Sequence, residues 1–193
     1  MKKGKAGKRR RRLVLLLFII VVGLLFFQSE WLGRTIYPIY YKDEIARNAE
    51  LYDMDPHLIA AIIRVESNYK AGAVSPKGAL GIMQVMPDTA EWILKKNDFG
   101  AITVEDVGRN PEAGIRIGTW YIQELLRQFN GNLNLSLAAY NAGPGKVRQW
   151  VDQKVWDGSE KRLSDIPYGE TRQYVKKVLY YYNKYQEVHK DLF

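Results

Sequence analysis

The sequence predicts an all-α protein: a helical globular domain preceded by a single N-terminal transmembrane helix. Two observations carry this. Beyond about residue 43, apolar side chains recur at spacings of three and four, the period of a helix with one buried face, and no Asn-Gly hairpin flanked by alternating apolar residues occurs. Before that, Leu13 to Phe27 is an uninterrupted run of 15 apolar residues, counting Gly23.

The first element is a basic tail. Lys2, Lys3, Lys5, Lys8 and Arg9 to Arg12 supply eight positive charges, and no acid precedes Glu30. The apolar run that follows covers roughly 22 Å as a helix, short of a ~30 Å hydrocarbon core. Gln28, Ser29, Trp31 and Leu32 can extend it, and Arg12 can reach back to the interface. A cleaved signal peptide has the same charge-then-apolar layout but wants small residues at its exit, where this chain reads "FFQSEWLGR". The preferred division is a cytoplasmic tail over 1–12, a membrane anchor over 13–32, a linker over 33–44 and a globular domain over 45–193. The positive-inside rule sets the single-pass orientation, with the domain outside the cytoplasm of a bacterial cell.

Within the domain, "YKDEIARNAELYDM" repeats apolar positions at Ile45, Ala49 and Tyr52. "DPHLIAAIIRVES" opens with Asp55 as N-cap and Pro56 at the first helical position, and Asn110-Pro111 and Pro87 start helices in the same manner. "LSLAAYNAG" is a shorter helix running into a glycine turn, and "ETRQYVKKVLYYYNKYQEV" is a long final one. Irregular loops are expected near 70–85, 97–109 and 155–169.

Composition narrows the function. The net charge of +8 is the tail's alone: the other 21 basic residues balance the 21 acids, so the globular part shows no nucleic-acid footprint. The chain has no cysteine, which excludes disulfides, thiol catalysis and cysteine-ligated metals. Two isolated histidines, His57 and His189, make neither a convincing zinc site nor a Ser-His-Asp triad. No cofactor is called for.

One carboxylate is out of place. Ile59, Ile62, Ile63 and Glu66 share one helical face, so Glu66 extends an apolar stripe at the C-terminal end of its helix. An apolar setting and the negative end of the helix dipole both disfavour ionisation. A carboxyl group that keeps its proton near neutral pH can act as a general acid. A Glu snorkelling at a helix end, paired with Arg64 or Lys70, is the plainer alternative for that residue alone.

The surrounding residues favour the acid. "ESNYKAGAVSPKGALGIMQVMPDTA" from Glu66, "AYNAGPGKV" from Ala139 and "IPYGETRQYV" from Ile166, in this order and with a long helix leading into the second, strongly resemble the lytic transglycosylases of the soluble-transglycosylase (SLT) type. That resemblance covers roughly 45–185. It implies a goose-type lysozyme-like catalytic domain with Glu66 as the single catalytic acid/base. By the same resemblance, Ser75 lies near that carboxyl, Gly81, Met83, Gln84 and Met86 form a cleft wall against the sugar, Tyr140 and Asn141 lie beside the glutamate, and Glu170 is a second acid near the cleft.

Residue chemistry agrees with several of these roles. Gln84 and Asn141 offer donors and acceptors to sugar hydroxyl and acetamido groups. Met83 and Met86 offer adaptable apolar surface, and Tyr140 offers a hydroxyl for the Glu66 carboxyl. For Met83, Met86 and Tyr140 the bland reading is core packing; for Glu170 it is an acid answering a helix dipole. Tyr180, Tyr181, Tyr182 and Tyr185 point different ways around the last helix, which favours core and surface packing over a sugar platform.

The resemblance implies cleavage of the β-1,4 bond between N-acetylmuramic acid and N-acetylglucosamine in peptidoglycan, leaving a 1,6-anhydro end. A hydrolytic muramidase and a non-catalytic wall-binding scaffold are the alternatives. Peptidoglycan strands and the membrane are the expected partners; protein partners are not indicated.

Overall fold

The computed structural model describes residues 3–27 and 30–193. The chain divides into two units, one ending at Pro38 and one running from Ile39 to Phe193. The first holds α1 (Lys3–Phe27) and α2 (Glu30–Ile36). Leu13 to Val22 are exposed along α1. Among the described residues no helix is long and apolar enough to cross a membrane. The spanning segment expected over 13–32 is therefore not supported among the described residues: the apolar part of α1 is 15 residues long, and Gln28 and Ser29 of the expected span lie outside the described residues. The linker expected over 33–44 begins inside α2, which runs to Ile36.

The second unit contains α3 (Lys42–Tyr52), α4 (Pro56–Glu66), α5 (Pro87–Lys96), α6 (Val104–Arg109), α7 (Pro111–Gln128), α8 (Leu133–Ala142), α9 (Pro144–Asp152), a 3-10 segment (Glu160–Asp165) and α10 (Gly169–Val188). Its axis is α4. Leu58 through Ile63 are all buried, so this helix is apolar all round and has neighbours on several sides, α10 and α3 among them. Each fully buried isoleucine of the stretch contributes about 1.5–3 kcal/mol relative to exposure. α8 is also central, with Leu135 to Ala139 buried between α7, α9 and α10.

The helix starts follow the sequence signals. The Asp55 carboxylate accepts from the His57 N–H at 2.8 Å ahead of Pro56, and Asn110 accepts from the Glu112 N–H at 3.0 Å ahead of Pro111. Two helices fall where none is expected. α6 lies inside the presumed loop 97–109, opened by a capping box in which Thr103 and Asp106 each receive the other's backbone N–H. α9 follows α8 at once: Gly143, at φ 88°, makes the bend, and Pro144 occupies the first position of the next helix.

The connection from α4 to α5 is compact. Leu80 forms antiparallel bridges with both Val74 and Val85. Gly81, at φ 71°, lies so close to α6 that a Cβ would stand 2.2 Å from the Val107 carbonyl oxygen. Met83 is fully buried against α7, where a Cβ on Gly118 would meet its sulfur at 2.5 Å. Both residues anchor the wall from behind. Gly81 and Met83, expected in the cleft wall against a sugar, are thus packed toward the core side of that wall.

Candidate active site

Glu66 is the last residue of α4. Its helix ends there because Ser67 turns away, its hydroxyl donating to the Ile82 carbonyl at 2.7 Å and so tying the helix end to the α4–α5 connection. Seven of the nine residues expected at the site, Glu66, Ser75, Gln84, Met86, Tyr140, Asn141 and Glu170, line one cleft of about 380 Å³, together with Pro76, Lys77 and Ala79. Four parts of the chain meet here: the end of α4, the 70–86 connection, the end of α8 and the start of α10.

The carboxyl of Glu66 is pushed up from 4.5 to about 7. Burial among apolar groups is the main cause; the negative charge of Glu170 adds to it. The Tyr174 hydroxyl draws it partly back. That hydroxyl is itself buried and completes no full hydrogen bond among the described residues, so its hold on Glu66 is a loose one.

The wall residues are fixed mostly by their own backbone. Ser75 accepts the Ala79 N–H on its hydroxyl at 2.9 Å. The Gln84 side-chain nitrogen donates to the carbonyls of Ala73, at 3.1 Å, and Gly81, at 2.7 Å. Its nitrogen is thus spent on the connection, which leaves the amide oxygen as its group toward the cleft. Met86, 43% exposed, presents its side chain at the rim just before α5.

On the opposite side, the Asn141 amide oxygen accepts from the Thr171 hydroxyl at 2.7 Å, which orients its NH₂ as the remaining donor. Tyr140 does not reach Glu66 as the sequence suggests: its hydroxyl donates to the Met83 carbonyl at 2.9 Å, and its ring lies 5.2 Å from that of Tyr121. Burial, then the Glu66 charge, push the Tyr140 phenol well above its ordinary value, so it stays a neutral donor.

Glu170 sits in the first turn of α10 and pairs with the Lys77 ammonium at 2.7 Å. Both readings of Glu170 therefore apply, since it answers a helix dipole and lines the cleft. Sequence reasoning passed over Lys77, Thr171 and Tyr174. The signal for Tyr174 was present: Glu170 and Tyr174 are four apart in "GETRQYV" and share a face of α10. The C-terminal tyrosines pack away from this cleft. Tyr185 is fully buried, and the Tyr182 hydroxyl donates to Asp55 at 2.7 Å.

Comparison with known proteins gives this arrangement a lineage. Residues 43–163 match the family described as "Transglycosylase SLT domain". The chain is 38% identical over 146 residues to the soluble lytic murein transglycosylase of Escherichia coli K12, covering 75% of this chain and 23% of that protein. It is 34% identical over 116 residues to the membrane-bound lytic murein transglycosylase C of Edwardsiella ictaluri, covering 55% of this chain and 32% of that one. The crystal structure of an inactive, singly substituted lytic transglycosylase Slt from Pseudomonas aeruginosa superposes with a TM-score of 0.72 at 35% identity, over 79% of this chain and 25% of that chain. The chain thus spans about a quarter to a third of the length of these relatives. It belongs to the transglycosylase SLT domain family.

Proposed function

We propose that this protein is a peptidoglycan lytic transglycosylase that cuts the β-1,4 bond between N-acetylmuramic acid and N-acetylglucosamine and leaves a 1,6-anhydro end. The observation that carries the reading is a carboxyl group held protonated to about pH 7 on the wall of a cleft, whereas the cleft's other acid, Glu170, is a largely exposed carboxylate. Hydrolysis by the usual two-carboxylate route needs a second carboxylate held beside the reacting bond as base or nucleophile. One acid suffices when the nucleophile belongs to the substrate.

Glu66 gives its proton to the glycosidic oxygen as the bond to C1 breaks. The sugar's own acetamido oxygen stabilises the positive charge left at C1. Glu66, now a carboxylate, takes the proton of the muramic C6 hydroxyl as that oxygen bonds to C1. The acid form is regenerated and no water is consumed, which makes the reaction a lyase reaction. An intramolecular hydroxyl in place replaces a bound water and the residue that would position it. The Gln84 amide oxygen, the Asn141 NH₂ and the Ser75 hydroxyl serve as hydrogen-bonding groups for the sugars, and Met86 as apolar contact. The residues need no metal or other cofactor for any step.

We also propose that the N-terminal unit holds the chain at a membrane, single-pass, with the basic tail cytoplasmic and the domain facing the cell wall. The support is the order of eight cationic residues followed by 15 apolar ones, with Leu13 to Val22 exposed on α1. Fractionation after an alkaline wash tests it: a spanning segment stays with the lipid, whereas a surface-bound helix washes off.

The chemistry is tested by incubating the full chain and its Glu66→Gln variant with purified peptidoglycan and weighing the products. Muropeptides one water lighter than the hydrolytic products, released by the parent alone, are the expected result. Reducing ends would make it a muramidase, and uncut polymer with retained binding would make it a wall-binding scaffold.

A further inference from the structure

Lys77 belongs to the α4–α5 connection and Glu170 to the first turn of α10, so their 2.7 Å ion pair joins opposite walls of the cleft. Both residues line the Glu66 cavity. Both also line a neighbouring cavity of about 570 Å³, formed with Asn141, Pro167, Tyr168 and Thr171. The two cavities share Lys77, Asn141 and Glu170, so the pair stands at their boundary.

We propose that Lys77 is a specificity-determining residue, whose ion pair with Glu170 is a strap between the two cavities that must open for a long glycan strand and not for a short one. The proposal rests on the transglycosylase reading for its substrate. A strand occupying only the Glu66 cavity leaves the strap closed. A strand continuing into the second cavity has to pass the point where ammonium and carboxylate meet.

The strap is suited to opening. Both side chains are largely exposed, 73% for Lys77 and 69% for Glu170, and an exposed pair of this kind is weak and salt-screened, so its rupture slows or weakens entry by no more than about fivefold. Such a penalty discriminates by length without blocking the polymer. Lys77 makes no other polar contact that holds it in place among the described residues, whereas Glu170 is fixed by its helix.

The test measures binding of chitin-type or glycan oligosaccharides of increasing length in a Glu66→Gln background, which needs no turnover, and cleavage in the unsubstituted background. Lys77→Ala is expected to tighten binding and lower KM for long strands by up to about fivefold, with binding of the shortest bound oligosaccharide unaffected. Screening salt should give the parent the same improvement and Lys77→Ala none. Exchanging the charges, Lys77→Glu with Glu170→Lys, should restore the parental length dependence. Weaker binding of long strands by Lys77→Ala, or an equal change at every length, would overturn the strap. Parent protein that binds with this length dependence yet releases no product would leave the strap standing and remove the transglycosylase reading.

Discussion

The Tyr140 hydroxyl donates to the main-chain carbonyl of Met83, joining the end of α8 to the wall segment that carries Gln84 and Met86. Met83 is fully buried, so its carbonyl has little access to water. Tyr140→Phe leaves that acceptor unsatisfied, at a cost of about 1–3 kcal/mol. We expect lowered stability in urea together with a rise in KM, because the wall loses a fastening. The Glu66 proton is left where it was, so the pH profile should keep its shape; a displaced basic limb would contradict this assignment.

Glu66→Gln should abolish cleavage and also stabilise the fold at alkaline pH. The folded carboxyl is raised from 4.5 to about 7, so its contribution is fully present below about pH 4.5 and is lost as pH rises through about 7. Above that range the parent holds a buried charge that glutamine does not. The advantage of the variant should be near zero at about pH 4 and at most about 3 kcal/mol at about pH 8, less where water reaches the carboxyl. Paired melts at the two pH values check it.

The apolar setting of Glu66 was readable because a helical period of 3.6 places that carboxyl beside Ile59, Ile62 and Ile63 without any tertiary knowledge. The helix starts at Asp55-Pro56 and Asn110-Pro111 were readable for the same local reason. The core-side packing of Gly81 and Met83 was not legible, because "GIMQVM" is a tight connection with no helical or strand period, and only the contacts with Val107 and Gly118 decide which way each residue faces. Lys77 and Glu170 are 93 residues apart, and no local pattern predicts their meeting. α6 was legible in principle, since Thr103 and Asp106 spell a capping box, but its six residues are too few to show a period.

Tyr174→Phe isolates the loose contact with Glu66. The phenol favours the ionised carboxylate, so removing it should raise the Glu66 pKa further. Since the acid form is needed to start the reaction, the basic limb of the kcat/KM profile should move to higher pH. Stability should change by less than about 1 kcal/mol, because no complete hydrogen bond is lost. Glu170→Gln acts in the opposite sense: it removes a repelling charge, lowers the Glu66 pKa and moves the basic limb to lower pH. Opposite displacements in the two variants are the signature; parallel displacements would mean a general change in the cleft.

The N-terminal end of the catalytic helix carries its own pH dependence. Asp55 accepts from the His57 ring at 3.1 Å, Tyr182 at 2.7 Å and Gln186 at 3.0 Å, while the other His57 ring nitrogen faces the His189 carbonyl at 3.1 Å. Burial alone would push Asp55 up, but these hydrogen bonds outweigh it and hold the carboxyl well below its usual range. The Asp55 hydrogen bond raises His57 despite burial. With acceptors on both sides, the imidazolium form satisfies both ring nitrogens and clamps the start of α4 to the end of α10. The Asp55 contribution is present above its unfolded pKa of 3.8 and lost as pH falls toward the depressed folded value; the His57 contribution is present below 6.5 and lost as pH rises through the raised one. The clamp is therefore strongest between these two unfolded values. His57→Gln should destabilise the fold by about 1 kcal/mol in that window and by less at about pH 8. The Glu66 titration is common to both proteins and cancels in the difference. A stability difference that is flat from about pH 4 to 8 would show that His57 acts as a neutral packing residue, with its ring edge against Phe193, and that no charged clamp forms.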